Sequence, residues 1–273
     1  ATGSLVYTNV TEHVKIGDAP ADFQRLAPSF TVSLQPWQEQ LLFLRLMYKS
    51  TFRMPTFNDL YYYRLGNRSL RPEKANEYNM GITWSRSFSS FLNYLSVTVD
   101  GYYNDVTDKI VAFPTTYAWK MANYGKVHVT GMDATLAAAA SLGKNMVLVV
   151  SGGYTWQKAI DLTDATSKSY KDQLPYTPKH SGNVSAVLEM PWVNVGYSIV
   201  GVSERYSMSQ NIPENRIDGY MEHTVSLSRN FSFRHCKLRL QAEIINLTDT
   251  QYDVIKYYPM PGRSWRLTGT IEF

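Results

Sequence analysis

The sequence predicts an all-β chain, a transmembrane antiparallel up-and-down β-barrel of about twelve strands, on two observations. The first is alternation of apolar and polar residues, clearest where Leu95, Val97, Val99 and Gly101 share one face and Ser96, Thr98, Asp100 and Tyr102 the other. Thr135 to Ala140, Val147 to Gly152, Val184 to Leu188 and Leu238 to Ile244 repeat it. A period of two sets one face of a strand against an apolar medium and the other against water. The second observation is the rhythm of the connectors. Tight ones, such as 87–90, 142–144, 191–192 and 230–235, alternate with stretches of about 14 to 23 residues, well beyond the usual hairpin loop of about 2–5. Long loops gathered at one end, with short turns at the other, suit a barrel wall in an outer membrane.

Taken in order, strands are expected at 3–14, 24–35, 41–52, 76–86, 93–105, 122–140, 145–157, 180–190, 193–204, 219–230, 235–247 and 263–273. The first two rest on the weakest pattern, because Val14 to Leu26 alternates poorly. The Ala-rich stretch 134–140 could be read as helix, but it lies between two strands and fits the connector rhythm. With 87–92 as a short periplasmic turn, the last strand descends to that same side. The outward loops then fall at 53–75, 106–121, 158–179, 205–218 and 248–262, with a shorter one near 15–23. Leu42, Leu44, Leu46, Tyr48, Tyr78, Met80, Ile82 and Trp84 are expected to face lipid, as are Val193 to Ile199 and Trp265 to Phe273 at every second position. Glu77, Asn79, Asp133, Glu189, Gln241, Glu243, Arg266 and Glu272 should face a wet interior. Trp37, Trp84 and Trp192 sit at or beside short turns, where an indole keeps its body in lipid and its N–H in water. The competing reading makes these the core aromatics of a soluble sandwich.

Composition narrows the function classes. Of 273 residues only 18% are charged, whereas 14% are aromatic and 20 are Tyr, a balance that suits aromatic girdles. Mean hydropathy is −0.28, and no run of about 18 apolar residues exists, so helical membrane spans are excluded but a barrel is not. A net charge of +4 is too small and dispersed to argue for nucleic acid, though it favours an anionic ligand or lipid head group. Cys236 is the single cysteine, which removes a disulfide framework and a cysteine metal site. His13, His128, His180, His223 and His235 lack metal-ligand spacing, so no metal and no cofactor is expected. A lipid-cleaving barrel needs a Ser–His pair at the lipid boundary. His223 alternates toward lipid, yet no serine motif accompanies it, so no enzyme is expected. The N-terminus carries no basic region followed by an apolar core, so it is not a signal peptide.

The segment after the third expected strand reads Phe52-Arg53-Met54-Pro55, then Gly66-Asn67-Arg68-Ser69-Leu70-Arg71-Pro72-Glu73, with Glu77 and Gly81 beyond. It resembles the Phe-Arg-Ala-Pro and Asn-Pro-Asn-Leu boxes of TonB-dependent outer-membrane receptors, with Met54 for Ala and Arg68-Ser69 for Pro-Asn. Asn246-Leu247-Thr248-Asp249, Tyr252, Pro261-Gly262-Arg263 and the terminal Phe273 resemble the way such barrels close, and 175–180 fits as well. The resemblance implies that these strands are the C-terminal half of a 22-stranded barrel in the bacterial outer membrane. Residues 1–273 would then be one β-barrel domain fragment, without the plug domain and signal peptide. It also implies uptake of a scarce small-molecule ligand, a ferric siderophore first, with cobalamin, haem or a short glycan after it. The TonB complex would act through the missing N-terminal part. The alternative is an autonomous twelve-stranded barrel acting as a passive channel or lipid enzyme; a surface-recognition barrel is a third reading.

In this family loops capture the ligand, so the resemblance directs attention to loop residues. Tyr61, Tyr62, Tyr63 and Arg64 lie between the boxes, Tyr117, Trp119 and Lys120 in the next loop, Tyr206 and Met208 in a later one, and Tyr257 and Tyr258 in the last. Aromatic faces with a few cations suit a chelate or ring ligand carrying negative charge. Packing of the loops against each other, or an upper aromatic girdle, would use the same residues, and Arg64 and Arg71 could equally serve hydrogen bonds across the rim. Haem-uptake members place a His between the boxes; none occurs from Arg53 to Leu70.

Overall fold

In the computed structural model of the chain, residues 1–15, 22–37, 41–89, 91–114, 118–143, 145–234 and 236–273 are described. In chain order the elements are β1 (Thr2–Val10), β2 (Phe23–Leu34), β3 (Leu41–Arg53), the short helix α1 (Phe57–Tyr61), β4 (Glu73–Ser87) and β5 (Leu92–Pro114). There follow β6 (Trp119–Gly143), β7 (Met146–Asp161), β8 (His180–Glu189), β9 (Asn194–Val202), β10 (Arg205–Tyr206) and a 3-10 turn at Pro213–Asn215. The chain continues with β11 (Arg216–Ile217), β12 (Tyr220–Ser232), β13 (Lys237–Ile245), β14 (Asp253–Ile255), β15 (Tyr258–Pro259) and β16 (Ser264–Glu272). Twelve strands form one antiparallel sheet in the order β1-β2-β3-β4-β5-β6-β7-β8-β9-β12-β13-β16. The pairs β10–β11 and β14–β15 are small hairpins within long loops. Among the described residues β1 and β16 do not pair with each other.

Register carries the alternation across the whole sheet. Leu42, Trp84, Val97 and Leu136 lie in one row, and Leu46, Met80, Gly101, Met132 and Trp156 in another. Far along the sheet Leu188, Val195, Leu227, Ala242 and Leu267 continue the same face. The opposite face carries Arg45, Gly81, Asp100, Asp133, Thr155 and Ser181 in one row. Its side chains pair across strands: Thr83 with Thr98 at 3.1 Å, Ser85 with Ser96 at 2.8 Å, and Thr155 donating to Asp133 at 2.6 Å. Arg45 on β3 reaches over β4 to Asp100 on β5 at 2.8 Å. The position between them is Gly81, where an added Cβ would stand 2.0 Å from the Asp100 carboxylate. A bare backbone there is what lets the ion pair close.

The apolar face has no second layer over it. Met80 is 66% exposed and Leu267 81%, whereas a sandwich would bury such rows between two sheets. Buried apolar residues instead form two clusters at the long-loop end. Val106, Val127, Val129, Ala159 and Leu174 make one; Leu60, Leu70, Ile110 and Met121 make the other.

The strands match the expected set closely, with one correction. The expected loop 106–121 is mostly ladder, since β5 and β6 stay paired out to Pro114 and Trp119. The charged and Pro-containing sequence there suggests a loop, but Leu60 and Leu70 from the preceding loop cover Ile110 and Met121 and hold the ribbon together. Most of the expected loop near 15–23 lies outside the described residues. The Ala-rich stretch 134–140 is strand, within β6.

Val97→Lys in the full-length protein is expected to cost about 2–4 kcal/mol on refolding into lipid vesicles, and Thr98→Lys far less. A urea titration of each variant checks this, and equal costs would reverse the assignment of faces.

Candidate functional site

The long loops are held by polar side chains, beginning with the loop after β3. Thr56 caps α1, its hydroxyl accepting from the Asp59 N–H at 3.2 Å while its own N–H donates to the Asp59 carboxylate at 2.8 Å. Arg53 reaches Asp59 at 3.5 Å and Glu73 at 3.3 Å. Arg53 also donates to the Ile110 carbonyl at 3.0 Å, and Glu73 accepts the Ile110 N–H at 3.0 Å. The two side chains thus satisfy both backbone groups of one residue on the β5–β6 ribbon. Asn67 donates to the Met121 carbonyl at 3.1 Å, and Asn123 accepts from the Arg71 N–H at 2.8 Å. The chain folds so tightly at Gly66 that a Cβ would meet the Tyr62 nitrogen at 2.7 Å. The two motifs therefore form a latch between the first long loop and the next ribbon.

The loop after β7 folds back over the inner face. Gln173, 3% exposed, accepts from the Ala159 N–H at 3.1 Å and donates to the carbonyls of Gln157 and Thr177, each at 3.3 Å. Asn211 joins this loop to the next, accepting from the Gln173 N–H at 2.8 Å and donating to its carbonyl at 3.0 Å. The last loop is held by Asn246, fully buried, which accepts from the Thr250 N–H and donates to its carbonyl, each at 2.9 Å. Asn246 also takes a φ of 52°, a conformation that Asn tolerates better than most residues. Buried Arg205, from the β10–β11 hairpin, donates to the carbonyls of Asp253 at 2.6 Å and Val254 at 3.0 Å.

Between the β10–β11 and β14–β15 hairpins lies a groove of about 340 Å³, lined by Arg216, Asp218, Tyr252, Lys256 and Tyr257 among others. Arg216 is already neutralised by Glu204 at 3.2 Å and Asp218 at 3.0 Å. Lys256 donates to the Glu214 carbonyl and stands 5.4 Å over the Tyr257 ring; among the described residues it forms no ion pair. Tyr252 stacks on Tyr220 at 3.9 Å and donates to the Glu222 carboxylate at 2.6 Å. Burial, and next that carboxylate, hold its hydroxyl far above the ordinary tyrosine range. Burial also raises Tyr176, while the Lys256 N–H facing its oxygen and nearby Arg205 act the other way. The groove offers one unneutralised cation and aromatic faces, which suits a ligand with an anionic edge.

The predicted residues fall into two separate places. Tyr62, Tyr63 and Arg64 are together at the end of α1, Tyr63 beneath the Arg64 guanidinium at 5.2 Å. Tyr61 is half-buried, with Phe57 at 4.9 Å and Arg68 over its ring at 5.2 Å. Trp119 lies 6.0 Å from Tyr176, which brings it to Lys256, beside exposed Tyr257 and Tyr258. Among the described residues no ring contact or hydrogen bond links the Tyr61–Arg64 group to the Tyr257 group. Tyr117 lies outside the described residues. Loop composition alone does not single out Tyr176, Tyr252 or Lys256; the one signal for them is Lys256 next to the paired Tyr257 and Tyr258. No cluster of His, Cys, Asp or Glu that could hold a metal occurs among the described residues.

A family model described as TonB dependent receptor-like, beta-barrel, matches residues 2–247. The chain belongs to that family. Its members are receptors and transporters of the bacterial outer membrane, not a family of enzymes. The vitamin B12 transporter BtuB of Photobacterium profundum is 26% identical over 230 residues, covering 81% of this chain and 34% of the relative. The chain thus spans about one third of the length of the curated relatives it matches. Among solved structures, the ferric-catecholate import receptor Fiu of E. coli K12 aligns with a TM-score of 0.66 at 20% identity, covering 91% of this chain and 35% of Fiu. The siderophore receptor PiuA of Acinetobacter baumannii aligns at 0.67 and 18%, covering 94% and 38%. These likenesses make the twelve-stranded sheet a partial barrel wall, with its apolar face toward lipid and its polar face toward the lumen.

Asn246→Ala is expected to release the final loop, costing about 1–3 kcal/mol through its lost buried hydrogen bonds. Limited proteolysis should then cut within 248–262 while the strands stay protected. Cleavage at the wild-type rate would mean that the loop is held elsewhere.

Proposed function

We propose that the chain forms part of the wall and the loop crown of an energy-coupled outer-membrane receptor that imports a scarce ligand, a ferric siderophore in the first instance. The observation that carries this reading is the groove between the last two long loops, where unneutralised Lys256 stands beside Tyr257 and Tyr252. A ferric chelate with carboxylate or catecholate edges presents the negative charge and flat faces such a groove accepts. The loops around it are cross-braced by Arg205, Asn211 and Asn246. Bracing keeps the groove formed before the ligand arrives, which lowers the ordering cost of binding. The chain supplies walls and recognition. Transport would draw on the TonB complex acting through parts of the protein outside this sequence.

A second ligand class has its own support, since two relatives at 26% identity, from Photobacterium profundum and Vibrio vulnificus, are vitamin B12 transporters. Cobalamin has a phosphate and a large planar ring, so the same cation and tyrosines could serve it. Binding of purified full-length protein to ferric catecholates, ferric citrate and cyanocobalamin separates the two, together with growth of a deletion strain on single iron sources. Lys256→Ala combined with Tyr257→Ala is expected to weaken the true ligand about tenfold, the equivalent of about 1.4 kcal/mol. Tyr62→Ala combined with Tyr63→Ala should weaken it as well, with barrel insertion intact. Undiminished affinity in the Lys256 and Tyr257 variant would remove the groove from the site.

A further inference from the structure

The outward face of β7, β8, β9 and β12 is unevenly filled. Tyr154, Gly182, Gly201 and Met221 share one row across these four strands, so the two middle positions carry no side chain. A groove of about 440 Å³ results, with Val184 and Ile199 along its lower wall and His180 at its long-loop end. Its lining is almost entirely carbon. Glycine within a strand gives up side-chain packing and commonly marks a close approach of some other group. At Gly182 that group is backbone, because a Cβ would stand 2.9 Å from the Gly153 carbonyl. At Gly201 a Cβ would meet only the Met221 side chain at 3.8 Å. The sheet itself does not require glycine there.

The upper end of the groove is polar. The Tyr154 hydroxyl lies 2.7 Å from His180 Nδ1 and the two rings stack at 6.2 Å. With the hydroxyl donating to Nδ1, the imidazole carries its proton on Nε2, which has no partner among the described residues. The same diagonal pairing recurs at Tyr103–His128, 3.2 Å, and Tyr197–His223, 2.7 Å. His128 differs in that its Nε2 is 3.3 Å from Asp105, so that nitrogen is already engaged. His180 has no such acid and stands over the groove. Lys158 is exposed on the same face of β7, two residues beyond Trp156, the register partner of His180. An apolar trough with an N–H donor at its upper end, and a cation two positions further up the neighbouring strand, is the complement of one class of molecule.

We propose that this groove binds one acyl chain of a phosphate-bearing membrane lipid, with the phosphate accepting from His180 Nε2–H and from the Lys158 ammonium. The site depends on the lipid-facing assignment of this face and is separate from the ligand groove at Lys256. The polarity gradient sets the orientation: the tail descends past Val184 and Ile199 while the head stays at the water boundary, beside the aromatic pairs.

The test is native mass spectrometry of the full-length protein in detergent, titrated with phosphatidylglycerol or with uncharged diacylglycerol. Gly201→Phe fills the trough and is expected to lower occupancy of the tightest phosphatidylglycerol site about tenfold. His180→Gln combined with Lys158→Gln should lower phosphatidylglycerol occupancy similarly and leave diacylglycerol binding unchanged. Heat-modifiable gel migration establishes that each variant is a folded barrel. Wild-type occupancy in Gly201→Phe would overturn the proposal, and wild-type phosphatidylglycerol affinity in the double variant would overturn the assignment of the phosphate. A protein that takes up no lipid but forms a dimer broken by Gly201→Phe would assign the groove to a second copy of the chain instead.

Discussion

Everything in this structure depends on holding one register across twelve strands. A shift of a single residue in any pair would turn an entire strand over, setting Asp100 or Asp133 where Val99 or Ala134 now stands. The sheet guards against that from both faces. Outward, mainly aliphatic and aromatic rows run through β3 to β7 and again through β8 to β16, with bare glycine positions at Gly101, Gly182 and Gly201. Inward, Arg45 bonds to Asp100, Thr51 to Glu77 and Arg266 to Glu243, and each pair exists only in the observed alignment. These inner pairs are partly solvated and add little stability singly. Their contribution is to choose between registers, while the strength of the wall comes from backbone ladders kept from water by lipid.

The long-loop end obeys different physics. There the ribbon β5–β6 rises past the neighbouring strands, and side chains from other loops pack on it at two places, around Val106 and Val127 and around Ile110 and Met121. Buried clusters form there and not beneath the sheet, so this end of the chain packs like a soluble protein. Single polar side chains then fasten each loop, to a neighbouring ribbon, to its own strand or to itself. Arg53 and Glu73 clamp Ile110, Gln173 holds Ala159, and Asn246 closes the final loop on itself. A braced crown of this kind can present Lys256, Tyr257 and Tyr252 as a formed surface. The same bracing makes the Tyr62–Tyr63 group a separate, exposed patch at the end of α1.

The wall was legible in the sequence because a period of two is a local property, and both its rows and its connectors repeat. The alternation predicts β3 at 41–52, and it spans Leu41–Arg53; it predicts β8 at 180–190, and it spans His180–Glu189. The extension of β5 and β6 was not legible. Asp108, Lys109 and Pro114 read as loop residues, and only cover from Leu60 and Leu70, more than 35 positions earlier, turns Ile110 and Met121 into a core. The crown shows the same split. Aromatic residues flagged the correct loops, but the sequence could not show that Tyr61 would be pinned between Phe57 and Arg68. Nor could it show that Trp119 reaches the last loop through Tyr176, since that chain of contacts joins three separate segments.

The most direct test of the central claim is a scan of spin labels along β5 at positions 95 to 102 in the full-length protein reconstituted into lipid bilayers. Collisions with dissolved oxygen and with a water-soluble nickel chelate are recorded at each position. Positions 95, 97, 99 and 101 should favour oxygen, and positions 96, 98, 100 and 102 the chelate, in strict alternation. A flat profile, or alternation of the opposite phase, would contradict a wall whose apolar rows meet lipid.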